Sequence, residues 1–490
     1  MKSALLERDV QRLFIDGSWT AASDGRDFET YNPSTGEVLA RVARGTAEDV
    51  DRAVKAANAA REGEWGRMTP SDRQLLMLRF ADLVEAHMEE LVVLDTLEMG
   101  APIARLPIMR MRSPSVIRYY AGLARTIHGQ TISNSMPGQI VTYTEREPVG
   151  VVGAIIPWNA PMPAALIKIC PVLATGCTLV LKPSEDASLS PVRLIELLEE
   201  AGLPKGVVNL VTGYGAEAGA ALAAHPGVNK VAFTGSSQTG RAVIEASKVN
   251  LKRLSLELGG KSPDILFDDA NLDKAAPGVA MAAFANSGQV CFAGTRLFVQ
   301  RGVVDEVVER LTAFVGQLKV GVATDVETQL GPIASKRQLD TVLGYLDLAA
   351  EEGAQTAVGG ARLSGAGRDA GYFVAPTILT EVRDDMRVAR EEIFGPVISV
   401  LPFDDEEEVI RRSNASNFGL GAGVWTRDIG RAHRVARKLE SGTVWINTYG
   451  LMDPAVPMGG FKESGYGREY GTEHLDEFLE NKSIWINVDP

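Results

Sequence analysis

Apolar and polar positions along the chain fall into three successive rhythms. From residue 46 to about 125 apolar residues recur at helical spacing. "TAEDVDRAVKAANAA" opens on Thr46 with Asp49 three residues on, close to a capping box. "PSDRQLLMLRFADLVEAHMEELVVLDTLEMG" continues the helical pattern and stops at Gly100. Residues 126–147 are rich in turn formers and β-branched residues, which predicts a hairpin projecting from the body. Residues 149–257 then alternate. "VGVVGAII", "TLVLK", "GVVNLV", "KVAFT" and "KRLSLEL" read as strands. "AALIKICPVLA", "SPVRLIELLEEAGL", "EAGAALAA" and "SQTGRAVIEAS" read as the helices between them.

Strand and helix in turn predict parallel βαβ units with right-handed crossovers. Sites in such sheets lie beyond the carboxyl ends of the strands. That rule singles out "PWNAP", "KPSE", "TGSS" and "ELGG". A second α/β series starts near residue 262, with strands "SPDILF" and "TRLFVQ" and helices "LDKAAPGVAMAAFA" and "VVDEVVERLTAFVGQL". Residues 359–373, "GGARLSGAGRDAGYF", read as a surface loop.

At 490 residues the chain exceeds what one core supports, so two or three domains are expected. A net charge of −13 argues against nucleic acid, whose phosphates need basic clusters. The longest apolar stretch, near residues 149–158, is broken by Gly and Pro, and the N-terminus lacks the apolar core of a signal peptide. With no HExxH and no CxxC, no metal site is expected. Three cysteines, Cys170, Cys177 and Cys291, suit a reducing cytoplasm better than a disulfide scaffold.

Cys291 falls on a loop, in "FANSGQVCFAG" between a helix and a strand. An ordinary thiol is only a few per cent ionised at neutral pH, and half-ionising it takes about 2 kcal/mol from a cation, backbone dipoles or a base. None of the five histidines is near it in sequence. Glu257, after a strand and before two glycines, is a candidate base if leucines 256 and 258 desolvate it; a solvated strand-end glutamate is the alternative. "FTGSSQTG" puts Gly235 and Ser236 between a strand and a helix whose N-terminus favours an anion. "GYGAEAG" has one residue too many for a dinucleotide fingerprint.

Together "PWNAP", "KPSE", "FTGS", "LELGGKSP", "FANSGQVC", "EEIFGP" and "PMGGFKESGYGRE" resemble the aldehyde dehydrogenase superfamily, in its order, across residues 14–488. The resemblance implies an α/β fold in three parts. A Rossmann-like domain (1–125 and 148–258) would bind the nicotinamide cofactor. A second α/β domain (259–460) would carry the cysteine. A small β oligomerisation arm (126–147 and 461–490, with the strand "KSIWINV") would join a homodimer or homotetramer, covering otherwise unpaired strand edges. Cys291 would attack the aldehyde, Asn159 with the Cys291 N–H would hold the oxyanion, and Glu257 would activate water. Lys168 would favour the thiolate, unless it faces outward from its helix, and Glu469 would relay protons.

The resemblance further implies Lys182 and Glu185 on the adenosine ribose, Ser236 with Gly235 at the pyrophosphate, and Glu392 and Phe394 at the nicotinamide ribose. Ile156, Trp158 and Gln338 would border the same cofactor. Glu185 favours NAD, although some members with this acid also take NADP. The aldehyde tunnel would be lined by Ala160, Ala164, Ile167, Val290, Phe292, Met452 and Met458, small or adaptable residues that suit an aromatic or medium-chain apolar aldehyde. Arg112 would meet a distal acidic group or else be a surface arginine. Other readings are a semialdehyde dehydrogenase, a CoA-acylating relative, a non-catalytic cofactor-binding relative and a cysteine hydrolase. Glu257 argues against the CoA-acylating type, which generally lacks a carboxylate there.

Overall fold

The computed structural model describes residues 3–365 and 367–489. Of the surface loop 359–373, Ala366 lies outside the described residues, as do the outermost positions of the two terminal segments.

Five buried apolar segments form the parallel centre of an eight-stranded sheet. Across the sheet they run Val208–Leu210, Thr178–Lys182, Val151–Ile155, Lys230–Thr234 and Arg253–Glu257. Strands covered on both faces read as unbroken apolar runs, which is why the sequence pattern located them. The order in the sheet reverses between Val151–Ile155 and Lys230–Thr234, and a crevice opens beyond the carboxyl ends of strands at such a reversal. "PWNAP" and "FTGS" follow these two strands.

A second sheet of seven strands runs Gln355–Val358, Thr377–Thr380, Val397–Phe403, Arg296–Gln300, Pro263–Leu266, Gly421–Trp425 and Thr443–Ile446. Only the edge strand Gln355–Val358 is antiparallel. Each sheet has its own buried apolar clusters. No helix of the described residues is long and apolar enough to cross a membrane.

The segment 126–147 differs from the expected hairpin. One strand forms, Ile140–Pro148, and it pairs antiparallel with Leu479–Asn487 over nine residues. The other limb is tied only around a Thr131–Tyr143 bridge, with Ile132 N–H donating to Thr142 O at 3.0 Å. Asn134 explains the break: its side-chain amide donates to Ile140 O at 2.9 Å and turns the chain instead of extending it. The boundary expected at 460/461 also needs correction. Phe461–Lys462 pairs with Phe418–Gly419, and Gly465–Tyr466 pairs with Leu256 and Glu257 on the edge of the first sheet. Two-residue strands carry no periodicity that a sequence reading could detect.

The N-terminal helices are set by their caps. Thr46 accepts from the Asp49 N–H while Asp49 accepts from the Thr46 N–H, closing a full capping box on the helix Ala47–Glu62. Asp49 is buried and also accepts the Ser23 N–H at 3.1 Å. The long pattern ending at Gly100 is two helices, Pro70–Ala86 and Met88–Met99, broken at His87; Gly100 ends the second at φ +82°. Asp49→Ala leaves the Ser23 and Thr46 N–H groups without their acceptor. It is expected to cost about 2 kcal/mol, read as a lower urea midpoint of the first unfolding transition.

Candidate active site

The helix Leu272–Phe284 ends just before the reactive loop. Asn286, Ser287 and Gly288 follow with φ of 53°, 56° and 72°, three consecutive left-handed residues. Such backbone persists only where its surroundings over-determine it, and here they do. Ser287 Oγ donates to Gly331 O at 2.7 Å. Gln289 Nε2 donates to Asn286 O at 3.1 Å, and Gln289 Oε1 accepts the Ala334 N–H at 2.9 Å. A Cβ on Gly288 would lie 2.1 Å from Gly395 O, so only glycine fits.

Asn159 reaches this loop from the end of a first-sheet strand. Its Nδ2 donates to Gln289 O at 2.9 Å, and its carbonyl accepts from Asn286 Nδ2 at 3.1 Å. A primary amide carries two N–H donors, so a second remains for a ligand. The Cys291 N–H has no acceptor among the described residues.

Glu257 ends the strand Arg253–Glu257 at 8% exposure, and its Oε1 has no partner among the described residues. Burial, then the charge of Glu469, raise its pKa well above the carboxylate range, while Lys168 and Arg468 pull it down. Lys168 points inward at 1% exposure, and its ammonium is bonded to Glu469. Its inward orientation sets aside the outward-facing alternative. On the Cys291 thiol the largest influences are burial first, then Glu392, Glu257 and Glu469, which raise its pKa, opposed by the Phe292 backbone. Cys170 and Cys177 are fully buried; Cys177 donates to Phe478 O at 3.3 Å.

Residues expected at the cofactor gather beyond the first sheet. The Ile156 N–H donates to Lys182 O at 3.1 Å. Lys182 Nζ donates to Pro183 O at 2.6 Å and lies 3.6 Å from the half-buried Glu185. Burial lowers the Lys182 pKa. Ser236 caps the helix Ser237–Ser247, accepting the Thr239 N–H at 3.2 Å, and Gly235 makes room for the Phe233 ring. Glu392 accepts the Gly260 N–H at 3.0 Å, and burial pushes its pKa up to about 7. Gly259 leaves room for that carboxylate, since a Cβ there would lie 2.0 Å from Glu392 Oε2 and displace it. The Trp158 and Phe394 rings meet edge-on at 5.3 Å. Gln338 reaches the same region: its amide donates to Ile393 O and Phe394 O, both at 3.0 Å, so it clamps the turn carrying Glu392 and Phe394. Two ribose-competent carboxylates, a capped helix N-terminus and glycines allowing close approach fit a dinucleotide. No group of three or more His, Cys, Asp or Glu among the described residues could hold a metal ion.

Ala160, Ala164 and Ile167 share one face of the helix Pro161–Thr175 at its start. Val290 and Phe292 flank the thiol, and the Phe292 ring packs 5.5 Å from Trp445. Met452 is half-buried beside Leu451, whose carbonyl accepts from the Trp445 indole at 2.9 Å. Met458 is joined to Glu469 by two backbone bonds of 2.7 and 2.8 Å. Arg112 is half-buried in the helix Leu106–Leu123, and its charge bears on the buried Tyr470 phenol. The sequence reading missed Asn286, Gln289 and Tyr449. Asn286 carried a signal, since asparagine before Ser-Gly tolerates left-handed backbone; Tyr449 in "WINTYG" carried none.

Comparisons with known proteins bear on the family and the fold. The sequence model described as the aldehyde dehydrogenase family matches residues 19–484. An aldehyde dehydrogenase of Enchytraeus buchholzi is 46% identical over 487 residues, 99% of this chain and 97% of that protein. The NAD+ complex of an aldehyde dehydrogenase from Bacillus cereus superposes with a TM-score of 0.96 at 47% identity, covering 99% of this chain and 98% of the other. A betaine aldehyde dehydrogenase from Staphylococcus aureus in complex with NAD+ gives 0.97 at 40% identity, covering 99% and 97%. Extended over nearly the whole chain, these matches carry both the fold and the family: the protein belongs to the aldehyde dehydrogenases.

Proposed function

We propose that the protein oxidises an aldehyde to its carboxylic acid with NAD, using Cys291 as nucleophile, Asn159 as oxyanion donor and Glu257 as base. The observation that carries this reading is the convergence of the three from two different sheets, held by the Asn159–Gln289 and Asn286–Asn159 bonds. Residues 1–125 and 148–258 form the cofactor half and 259–460 the catalytic half in this reading, with residues 461–462 paired to 418–419 and residues 465–466 paired to the edge of the first sheet.

The resting thiol is held protonated by burial and three carboxylates, so attack requires a base. The unpartnered Glu257 oxygen is suited to take that proton. As Sγ bonds the aldehyde carbon, the oxygen becomes anionic and accepts from the second Asn159 N–H and the Cys291 N–H. Removing one such donor typically costs a hundredfold or more. NAD, when bound, supplies the acceptor for the hydride that leaves the same carbon. Glu185 and Lys182 would hold its adenosine ribose, Ser236 its pyrophosphate, and Glu392 its nicotinamide ribose. The carbon is then a thioester on Cys291. Glu257 releases the thiol proton to solvent before hydrolysis, then withdraws a proton from water as the water oxygen attacks; the C–S bond breaks, the thiolate takes a proton back, and the acid leaves with the thiol restored. Glu469, bonded to Lys168, is the neighbouring acid through which that proton could return to solvent.

Small residues on the 160–167 helix face, together with the adaptable Met452 and Met458, support a wide apolar tunnel and an aromatic or medium-chain aldehyde. Arg112 would add preference for a distal acidic group. Exposed Val141, Trp485 and Ile486 on the 140–148/479–487 ribbon support a homodimer or homotetramer. Three free cysteines suit a cytoplasmic setting.

With NAD and a panel of aliphatic, aromatic and carboxylated aldehydes, NADH should form fastest with aromatic or medium-chain substrates and vanish in Cys291→Ala. Arg112→Ala should raise KM for carboxylated aldehydes alone; an equal change for neutral ones refutes its role. No NADH without CoA, and turnover with it, would turn the reading to the acylating type. The pKa of Glu257 is raised, and its ionised form is the base, so kcat for thioester hydrolysis should be low in acid and rise with pH through that raised value. Glu257→Gln should abolish this rise, as pH-dependent stopped-flow kinetics would report. Trp485→Asp should shift the sedimentation coefficient toward the monomer; an unchanged value would remove the ribbon from the interface.

A further inference from the structure

Asn159 lies between the strand Val151–Ile155 and the helix Pro161–Thr175, in "PWNAPMP". In a helix, each carbonyl accepts from the N–H four positions on. Four positions after Asn159 stands Pro163, which has no N–H to give. The Asn159 carbonyl is left for another donor, and no backbone N–H among the described residues takes it. Its partner is Asn286 Nδ2, at 3.1 Å.

The same Asn286 nitrogen makes a second contact. It lies 3.4 Å from Gln289 O, the carbonyl that also accepts from Asn159 Nδ2 at 2.9 Å. A carbonyl oxygen has two lone pairs and takes both donors. The three bonds close a ring: Asn159 amide to Gln289 carbonyl, Gln289 carbonyl to Asn286 amide, Asn286 amide to Asn159 carbonyl. The ring also decides which way each amide points, because an oxygen in place of either Nδ2 would face carbonyl oxygens. Asn159 is thus held at its backbone and at its side chain. The plane fixed by its first N–H directs the second.

The reactive turn has anchors of its own. Ser287 Oγ donates to Gly331 O at 2.7 Å, and Gln289 Oε1 accepts the Ala334 N–H at 2.9 Å. The Gln289 N–H and Nε2 both reach Asn286 O at 3.1 Å. Beyond the thiol, the Tyr449 hydroxyl donates to Phe292 O at 2.7 Å. None of these bonds uses the Asn286 side chain. Its amide nitrogen bonds the Asn159 and Gln289 carbonyls and no other group among the described residues.

We propose that Asn286 is a positioning residue for the oxyanion donor, holding Asn159 so that its second N–H faces the aldehyde oxygen. The proposal rests on Cys291 being the nucleophile and Asn159 the oxyanion donor.

Two reactions of one thiol test it, and neither needs NAD or the physiological aldehyde. Acylation by p-nitrophenyl acetate forms an S–C bond at a carbonyl, places negative charge on the carbonyl oxygen and expels nitrophenolate as the thiol proton passes to a base. Alkylation by iodoacetamide forms an S–C bond at a saturated carbon and expels iodide, with no oxyanion. Asn286→Gly keeps the left-handed backbone and removes the amide. It should slow acylation about tenfold and leave alkylation within about twofold. Added to Asn159→Ala, the same change should alter acylation by less than about twofold, since no donor remains to be positioned. Asn286→Asp keeps the size and the tolerance of left-handed backbone, but its carboxylate cannot donate to two carbonyls. It should slow acylation at least as far, and it stands in should the glycine variant fail to fold. Unchanged acylation in either variant overturns the proposal. So does an equal loss in both reactions, or a full second loss on top of Asn159→Ala. An Asn159→Ala protein acylated as fast as the unsubstituted one would instead overturn the reading of Asn159. Acylation located by mass spectrometry on Cys170 or Cys177 would overturn that of Cys291.

Discussion

Two hydrogen bonds between Asn159 and the 286–289 turn join the end of one sheet to the reactive loop of the other. The chemistry depends on this junction because neither sheet carries a complete set of groups. The first supplies Asn159 and Glu257; the second supplies Cys291 and Glu392. The bonds are reciprocal, amide to carbonyl in each direction, so a shift of either sheet strands polar groups on both. In a water-poor crevice that penalty is larger than the bonds' net worth in solution. Around the junction, glycines at 259 and 288 let backbone approach a carboxylate and a carbonyl where any Cβ would collide.

The electrostatic design follows from the same crevice. Carboxylates at 257, 392 and 469 surround a thiol, and a single inward lysine, Lys168, is bonded to one of them. Burial disfavours every charged form present. The thiol and Glu257 are consequently kept from ionising together at rest, because like charges in one desolvated site oppose each other. Proton transfer between them moves one negative charge instead of creating a second. An arrangement that holds the nucleophile protonated also protects it from adventitious oxidation, since the thiolate is the reactive form.

Much of this was legible in the sequence. The buried parallel strands of both sheets announced themselves as apolar runs bounded by turn residues, and the carboxyl-end rule led to Asn159, Lys182, Ser236 and Glu257 before any coordinates. The illegible parts share a cause: they depend on who meets whom across long stretches of chain. Nothing local shows that Lys168 bonds Glu469, which lies far along the sequence. Nor does anything local show that the Gln338 amide meets the carbonyls at 393 and 394. Tyr449 had no signal, because a half-buried tyrosine in an aromatic cluster reads as ordinary packing. The hairpin expectation failed for the same reason, since the partner of Ile140–Pro148 is at the carboxyl terminus.

That terminal segment has a kinetic consequence. Gly465 pairs with Glu257, Glu469 bonds Lys168, and residues 479–487 complete the ribbon begun at 140–148. These contacts close very long loops, the kind that form late. Both sheets can collapse around their own cores while the acid–lysine neighbourhood of Glu257 stays unbuilt. Glu257 thus acquires its final surroundings only once residues 465–487 have docked on the sheets that precede them, so this part of the crevice is set by the slowest contacts of the fold.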